Sequence, residues 1–223
     1  MHYANRAARA LLGVTAHPGG LALTGHALVL AGLGAGDTVL DVACGDGATL
    51  RELEQRGAAA LGVDVEPEAV ARCRGRAVVG DAVALPVASG LFDGVLLECS
   101  LSTFDDPERA LREAARVLKA DGVLVLTDVV LDREAAPSDV VAAVDALTTA
   151  RSVPEWTDLL ERGGWHVTRT EDRRDDALTL VRRVRRRLLL ARPRAALTAW
   201  ACEKAVRAGS LSYVLLVAVR APD

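Results

Sequence analysis

Aromatic residues are scarce in this 223-residue chain, with two phenylalanines, two tyrosines and three tryptophans. So few rings offer no stacking platform for bases, which argues against a nucleic-acid partner. Cysteine is also sparse. Cys44, Cys73, Cys99 and Cys202 are scattered, with no CxxC pair, which argues against a zinc ribbon or redox dithiol and fits a reducing, cytoplasmic compartment. No apolar run approaches the roughly eighteen residues of a membrane span. The segment from Met1 to Arg6 lacks signal-peptide architecture, so no membrane association is expected. The net charge of −3 is mild and names no partner. The histidines stand at 2, 17, 26 and 166. They form no HExxH, and no carboxylate cluster has ligand spacing, so no metal is expected.

What is present points to an α/β domain. Hydrophobic residues make up 51% of the chain, enough for a sizeable core without disulfides. The organising stretch is Thr38 to Leu50, an apolar run that ends at Asp41-Val42, crosses Cys44-Gly45-Asp46-Gly47 and enters a helical pattern. Glycines at 45 and 47 remove Cβ atoms where backbone would approach a ligand. Further apolar runs end at Asp64, Val79 and Cys99, and another spans Val123 to Val130, with helical patterns between them. Strands alternating with helices predict βαβ units and a parallel sheet with helices on both faces. Residues 2–12 and 21–33 read as helices, 165–170 and 211–219 as strands, and 176–208 as a helix broken at Pro193. The whole chain, 1–223, reads as one domain, with 1–36 as an N-terminal helical cap and 132–153 as a lid insertion.

The motifs resemble those of the class I S-adenosylmethionine-dependent methyltransferases from about Asp37 to Val219. Leu40-Asp41-Val42-Ala43-Cys44-Gly45-Asp46-Gly47 is similar to the family's first motif, and Asp64 closes the second strand. Gly80-Asp81-Ala82 precedes Leu85-Pro86-Val87, and Leu111 to Gly122 is similar to the family's helix into strand five. The last stretch departs where Ala120-Asp121 replaces the usual proline-glycine. A nicotinamide enzyme fits badly, because the third glycine of GxGxxG would fall at Leu50. The resemblance implies a Rossmann-like, doubly wound seven-stranded sheet, mostly parallel with an antiparallel last strand. It also implies S-adenosyl-L-methionine as methyl donor, S-adenosyl-L-homocysteine as product and a small-molecule acceptor. Asp64 would then accept the ribose hydroxyls, while Asp81 and Ala82 meet the adenine edge beside Val65. Asp41, Ala43, Gly45 and Gly47 would border the methionine end, with Glu98, Cys99 and Ser100 on the route to substrate. Asp64 also reads as a helix cap, and Asp41 as a holder of the loop.

The chemistry at the acceptor is less determined. His17 and Cys99 are the catalytic candidates, and His17, Cys99, Ser100 and Thr103 the substrate-binding ones, although a surface turn is the preferred reading for His17. Many small-molecule members carry a histidine after strand four, and this chain does not. That absence favours an acceptor needing little deprotonation, such as a thiolate, an amine or a metalloid. Arsenite methyltransferases resemble this chain in a cysteine at the end of strand four, so a thiol or metalloid enzyme using Cys99 stays open. So does a cofactor-binding module without turnover, and so does a homodimer. The basic run from Arg182 to Arg194 reads as the solvated face of an amphipathic helix.

Overall fold

A computed structural model describes residues 17–221. The helix expected over 2–12, and with it the first part of the expected cap, lies outside the described residues. The elements are α1 (Gly20–Leu30), β1 (Thr38–Val42), α2 (Ala48–Gln55), β2 (Ala59–Asp64), α3 (Pro67–Arg72), β3 (Ala77–Val79) and β4 (Phe92–Glu98). After a 3-10 turn (Leu101–Thr103) come α4 (Pro107–Val117), β5 (Leu118–Leu131), α5 (Ser138–Asp145), α6 (Val153–Arg162) and β6 (Trp165–Asp172). The chain closes with α7 (Arg174–Ala191), α8 (Pro193–Ala208) and β7 (Leu211–Arg220).

The seven strands form one sheet in the order β3-β2-β1-β4-β5-β7-β6. The strands from β1 to β5 pair in parallel, and β7 runs antiparallel to both β5 and β6. Because β1 lies between β2 and β4, the chain reverses its direction of travel across the sheet there. The carboxyl ends of β1, β2 and β4 therefore border the crevice where open α/β sheets take ligands.

Alternation along each strand divides the core into two layers. Leu40, Val95, Leu97, Leu124, Leu126, Val214 and Leu216 pack with Leu111 and Ala114 of α4 and with Trp156 and Leu160 of α6. Val39, Leu96, Val125, Tyr213 and Leu215 point the other way, onto Leu23 and Leu28 of α1, Leu53 of α2, Val140 of α5 and Val206 of α8. By the same parity Asp41 and Glu98, two residues beyond Val39 and Leu96, lie on the α1 side. That placement later decides what Glu98 touches.

Local chemistry accounts for most boundaries. Asp106 caps α4 through the Arg109 amide, with Pro107 in the first turn. Ser152 and Glu155 form a capping box on α6. Strand β5 starts at Leu118, earlier than the expected Val123, because Leu118 pairs with Phe92 of β4; Lys119 Nζ lies 2.7 Å from Asp93 Oδ1 beside that pair. Phe92 pairs with Leu118 and Gly94 with Val123, so Ala120-Asp121-Gly122 is absorbed as an irregularity within the ladder. Glu113 and Arg116 of α4 staple the loop before β4. Glu113 accepts from the Leu85 amide at 2.7 Å, and Arg116 donates to the carbonyls of Leu85 and Val87.

The turn after β4 is held from beneath by Asp128 of β5, which is fully buried. Its carboxylate accepts from the Ser102 amide (2.9 Å), the Ser102 hydroxyl (2.6 Å) and the Val129 amide (2.7 Å). From the stretch between α5 and α6, Thr149 donates its amide and hydroxyl to the Ser102 carbonyl. Burial nonetheless pushes Asp128 up to about 6. A folded-state value above the unfolded one means that the native state binds the extra proton. Asp128 therefore contributes stability that is fully present below about pH 4 and is lost as pH rises to about 6, worth about 3 kcal/mol in all. An asparagine would turn an amide donor toward one of the donors that Asp128 now satisfies, at a cost of about 1–3 kcal/mol. Asp128→Asn should melt below the wild type at pH 4, and the gap should close or reverse by pH 6.5. A gap independent of pH would show that Asp128 does not titrate there.

Candidate active site

Three carboxylates stand at the carboxyl ends of adjacent strands: Asp41 on β1, Asp64 on β2 and Glu98 on β4. Asp64 is buried, and its oxygens accept from the Gly45 amide (2.8 Å) and the Glu66 amide (2.9 Å). The aspartate thus ties the glycine loop to the start of α3. The helix-cap reading of Asp64 does not hold, because the N-cap of α3 is Glu66 with no side-chain cap bond. Asp64 organises local backbone instead, and a carboxylate has about four acceptor sites, so it keeps capacity for two more donors.

The loop is shaped by left-handed backbone. Ala43, Gly45 and Gly47 have φ of 63°, 56° and 70°. The amides of Ala43 and Cys44 both donate to the Val63 carbonyl, which bends the chain off the β1 ladder. A Cβ on Gly45 would meet nothing within 4 Å, whereas one on Gly47 would come within 3.0 Å of Cys73 Sγ. Gly47 is therefore small for packing, and Gly45 leaves open space. Cys44 and Cys73 pack together beneath the loop with Leu50, and Cys73 reaches the Gly45 carbonyl at 3.4 Å.

Beyond β2, Val65 is 58% exposed, a bare apolar side chain beside a buried acid. The Gly80 amide donates to the Asp64 carbonyl at 3.0 Å, bringing Asp81 and Ala82 to the same rim. Asp81 accepts from the Val83 amide. A Cβ on Gly80 would sit 2.6 Å from the Pro86 ring, the physical link between the Gly80 and Leu85-Pro86 motifs.

Glu98 occupies the centre of the α1 side. Its Oε1 accepts from Thr24 of α1 and its Oε2 from Thr49 of α2, both at 2.7 Å. His17 Nε2 lies 4.0 Å from Oε1. The surface-turn reading of His17 is overturned, since the ring is only 9% exposed. The Pro18 carbonyl, which can only accept, lies 3.0 Å from Nδ1, so Nδ1 carries the proton. In the neutral ring Nε2 is then an acceptor facing another acceptor, and it is buried without a hydrogen-bond partner. Asp41, packed below, is pushed well above the usual carboxylate range, first by burial and then by the charges of Glu98 and Asp64.

The structure thus brings His17, Asp41, Gly45, Asp64 and Glu98 together. Ser100 joins this edge with a buried hydroxyl lacking a hydrogen-bond partner. Thr103 is committed elsewhere, donating to the Ser100 carbonyl at 2.6 Å to close its own turn. Cys99 has left-handed backbone, φ 53°, and is half-buried beside Tyr213 and Asp128. Burial pushes that thiol up, with Asp128 adding to it, which leaves it protonated and a poor nucleophile or ligand at neutral pH. No group of three or more His, Cys, Asp or Glu among the described residues could hold a metal ion. Thr24, Thr49 and the Ser102–Asp128 pair were not anticipated. Of these, only Thr49 carried a sequence signal, standing two residues after Gly47.

Comparison with known proteins agrees with this geometry. Residues 40–126 match the methyltransferase-domain family. A demethylmenaquinone methyltransferase of Mycolicibacterium paratuberculosis is 37% identical over 100 residues, and the match spans 44% of each chain. The chain therefore aligns with less than half the length of that relative. Among solved structures, the [4+2]-cyclase SpnF superposes with a TM-score of 0.72 at 25% identity, covering 91% of this chain and 82% of the cyclase. Geranyl diphosphate C-methyltransferase from Streptomyces coelicolor A3(2), crystallised with S-adenosyl-L-homocysteine, gives 0.77 at 21% identity, covering 90% and 80%. Residues 40–126 thus resemble a methyltransferase domain, and the seven-stranded sheet around them has the fold of the class I methyltransferases.

Proposed function

We propose that this protein transfers a methyl group from S-adenosyl-L-methionine to a small-molecule acceptor. The observation that carries the reading is the rim from Gly45 through Asp64 to Asp81. There an open backbone approach, an acid with spare acceptor capacity and the bare Val65 side chain stand in the order a nucleoside needs. Asp64 would hold the ribose hydroxyls, Asp81 and the Ala82 amide the adenine edge, and Gly45, Asp41 and Glu98 would border the methionine end. When bound, the cofactor supplies an electrophilic methyl on a sulfonium, for in-line displacement by the acceptor. The protein's own contribution is alignment and exclusion of water. Residues 17–36 and 132–153 serve as cap and lid, a role supported by the contacts of Thr24 with Glu98 and of Thr149 with Ser102. All four cysteines are free, which accords with a cytoplasmic setting.

His17 is the candidate base. Its buried Nε2 lone pair and Glu98 Oε1 flank a gap that a donor group can bridge. A hydroxyl or amine there would give its proton to Nε2, with Glu98 balancing the imidazolium charge. Cys99 is less suited to act, because its thiol is held protonated by burial.

Calorimetric titration with S-adenosyl-L-methionine should show one site per chain, and folded protein that takes up none would defeat the proposal. Binding without turnover across a panel of acceptors would instead mark a cofactor-binding module. Asp64→Ala should weaken binding by about 1–3 kcal/mol. Gly45→Ala should lower stability by only about 1–2 kcal/mol for its left-handed backbone. The new methyl group enters open space, so this variant should lose more in cofactor affinity than in stability. His17→Gln should bind cofactor normally and turn over about 100-fold more slowly; an unchanged rate would leave His17 a packing residue.

A further inference from the structure

The α7–α8 hairpin is inserted between β6 and β7, and its charge is unlike the rest of the chain. From Ala177 to Ala208 the sequence holds nine arginines and lysines and one acid, Glu203, in a chain of net charge −3. Glu203 is buried between the helices, where Arg182, Arg185 and Arg207 reach it at 3.0, 3.1 and 3.2 Å. That cluster joins the hairpin and leaves Arg183, Arg186 and Arg192 exposed. The base of the hairpin packs on the sheet through Ala177, Ala205 and Val206. Its far end has a small core of its own, Leu188, Ala196 and Ala199 with Val184 and Ala195.

That end also carries apolar side chains in the open. Leu189, Leu197 and Trp200 are 53%, 66% and 47% exposed. Leu197, Trp200, Lys204 and Arg207 recur at helical spacing along one face of α8, apolar toward the tip and cationic behind it. Lys204 Nζ stands 3.8 Å from the Trp200 ring. Trp200 is the sole exposed tryptophan, since Trp156 and Trp165 are buried.

We propose that the hairpin tip docks on an anionic phospholipid surface. Leu189, Leu197 and Trp200 would enter the acyl boundary, while Arg183, Arg186, Lys204 and Arg192 meet the headgroup phosphates. Exposed aliphatic side chains beside a tryptophan and a ring of cations suit a bilayer interface, where the apolar group leaves water and the charges do not. A phosphodiester groove gives bare leucines no partner, and two copies of so cationic a face would repel each other. None of the hairpin's helices is long and apolar enough to cross a membrane, so the contact is peripheral. It stands independently of the cofactor reading.

The test is co-sedimentation of the full chain with vesicles of phosphatidylcholine, with or without an equal part of phosphatidylglycerol. Binding is expected only to the anionic vesicles, with a blue shift of tryptophan emission that reports Trp200, and weaker binding at high salt. Arg183→Glu with Arg186→Glu should reduce binding by more than about tenfold. Leu197→Ser with Trp200→Ser should abolish the blue shift while the melting temperature stays at the wild-type value. Absence of binding to anionic vesicles overturns the proposal, as does binding that both double variants retain. A wild-type dimer that Leu197→Ser with Trp200→Ser makes monomeric would assign the face to a second copy instead. Duplex DNA retained equally by wild type and that variant, with no vesicle binding, would assign it to nucleic acid.

Discussion

The site depends on the placement of three carboxylates at three adjacent strand ends. Left alone, such a cluster would repel itself, and each member is accommodated differently. Asp64 accepts from two backbone amides, Glu98 from two threonine hydroxyls, and Asp41 is driven toward its protonated form by burial and by the other two. The Gly45 amide bound to Asp64 is what holds the loop open. That one hydrogen bond fixes where backbone can approach a ligand, and it leaves Val65 and the Asp81 rim beside the opening.

Strand parity explains the rest of the site. Because Asp41 and Glu98 share the sheet face that carries α1, the chain entering α1 passes over Glu98 and buries His17 against it. The apolar residues on the opposite face pack against α4 and α6. The loop that follows Glu98 is fixed by Asp128 below and Thr149 above. The Gly45–Asp81 rim and the turn after β4 are therefore anchored by separate carboxylates, Asp64 and Asp128, each satisfied mainly by backbone amides and nearby hydroxyls.

Much of the fold was legible because the strands are buried on both faces and bounded by glycine, proline or acid. Runs such as Leu40-Asp41-Val42 and Leu124 to Val130 read as strands with no further help. The rim from Gly45 to Asp81 was legible for a related reason: its residues lie within a few positions of strand ends, so short-range spacing sets their geometry. The early start of β5 was not visible, since it depends on Leu118 pairing with Phe92 across the sheet. Nor was the burial of His17, a residue whose Pro-Gly-Gly neighbours suggest a surface turn. The surroundings of Cys99 were equally invisible. Its position after β4 suggested a reactive thiol, but the packing of Tyr213 and Asp128 around it raises the energy of the thiolate.

By itself the sequence determined the order of strands and helices, the glycine turn and the acids that follow β1, β2 and β4. These are consequences of local periodicity and of residues whose backbone preferences act over one or two positions. Only the tertiary structure decided that His17 and Glu98 face each other, that Asp41 sits between charges, and that Glu203 gathers three arginines while others stay in water. Apart from Arg207 and Glu203, one helical turn apart, those outcomes join residues 18 to 81 positions apart, and no local preference acts over such distances. They follow from which sheet face each side chain occupies and from the electrostatics of what the fold packs beside it.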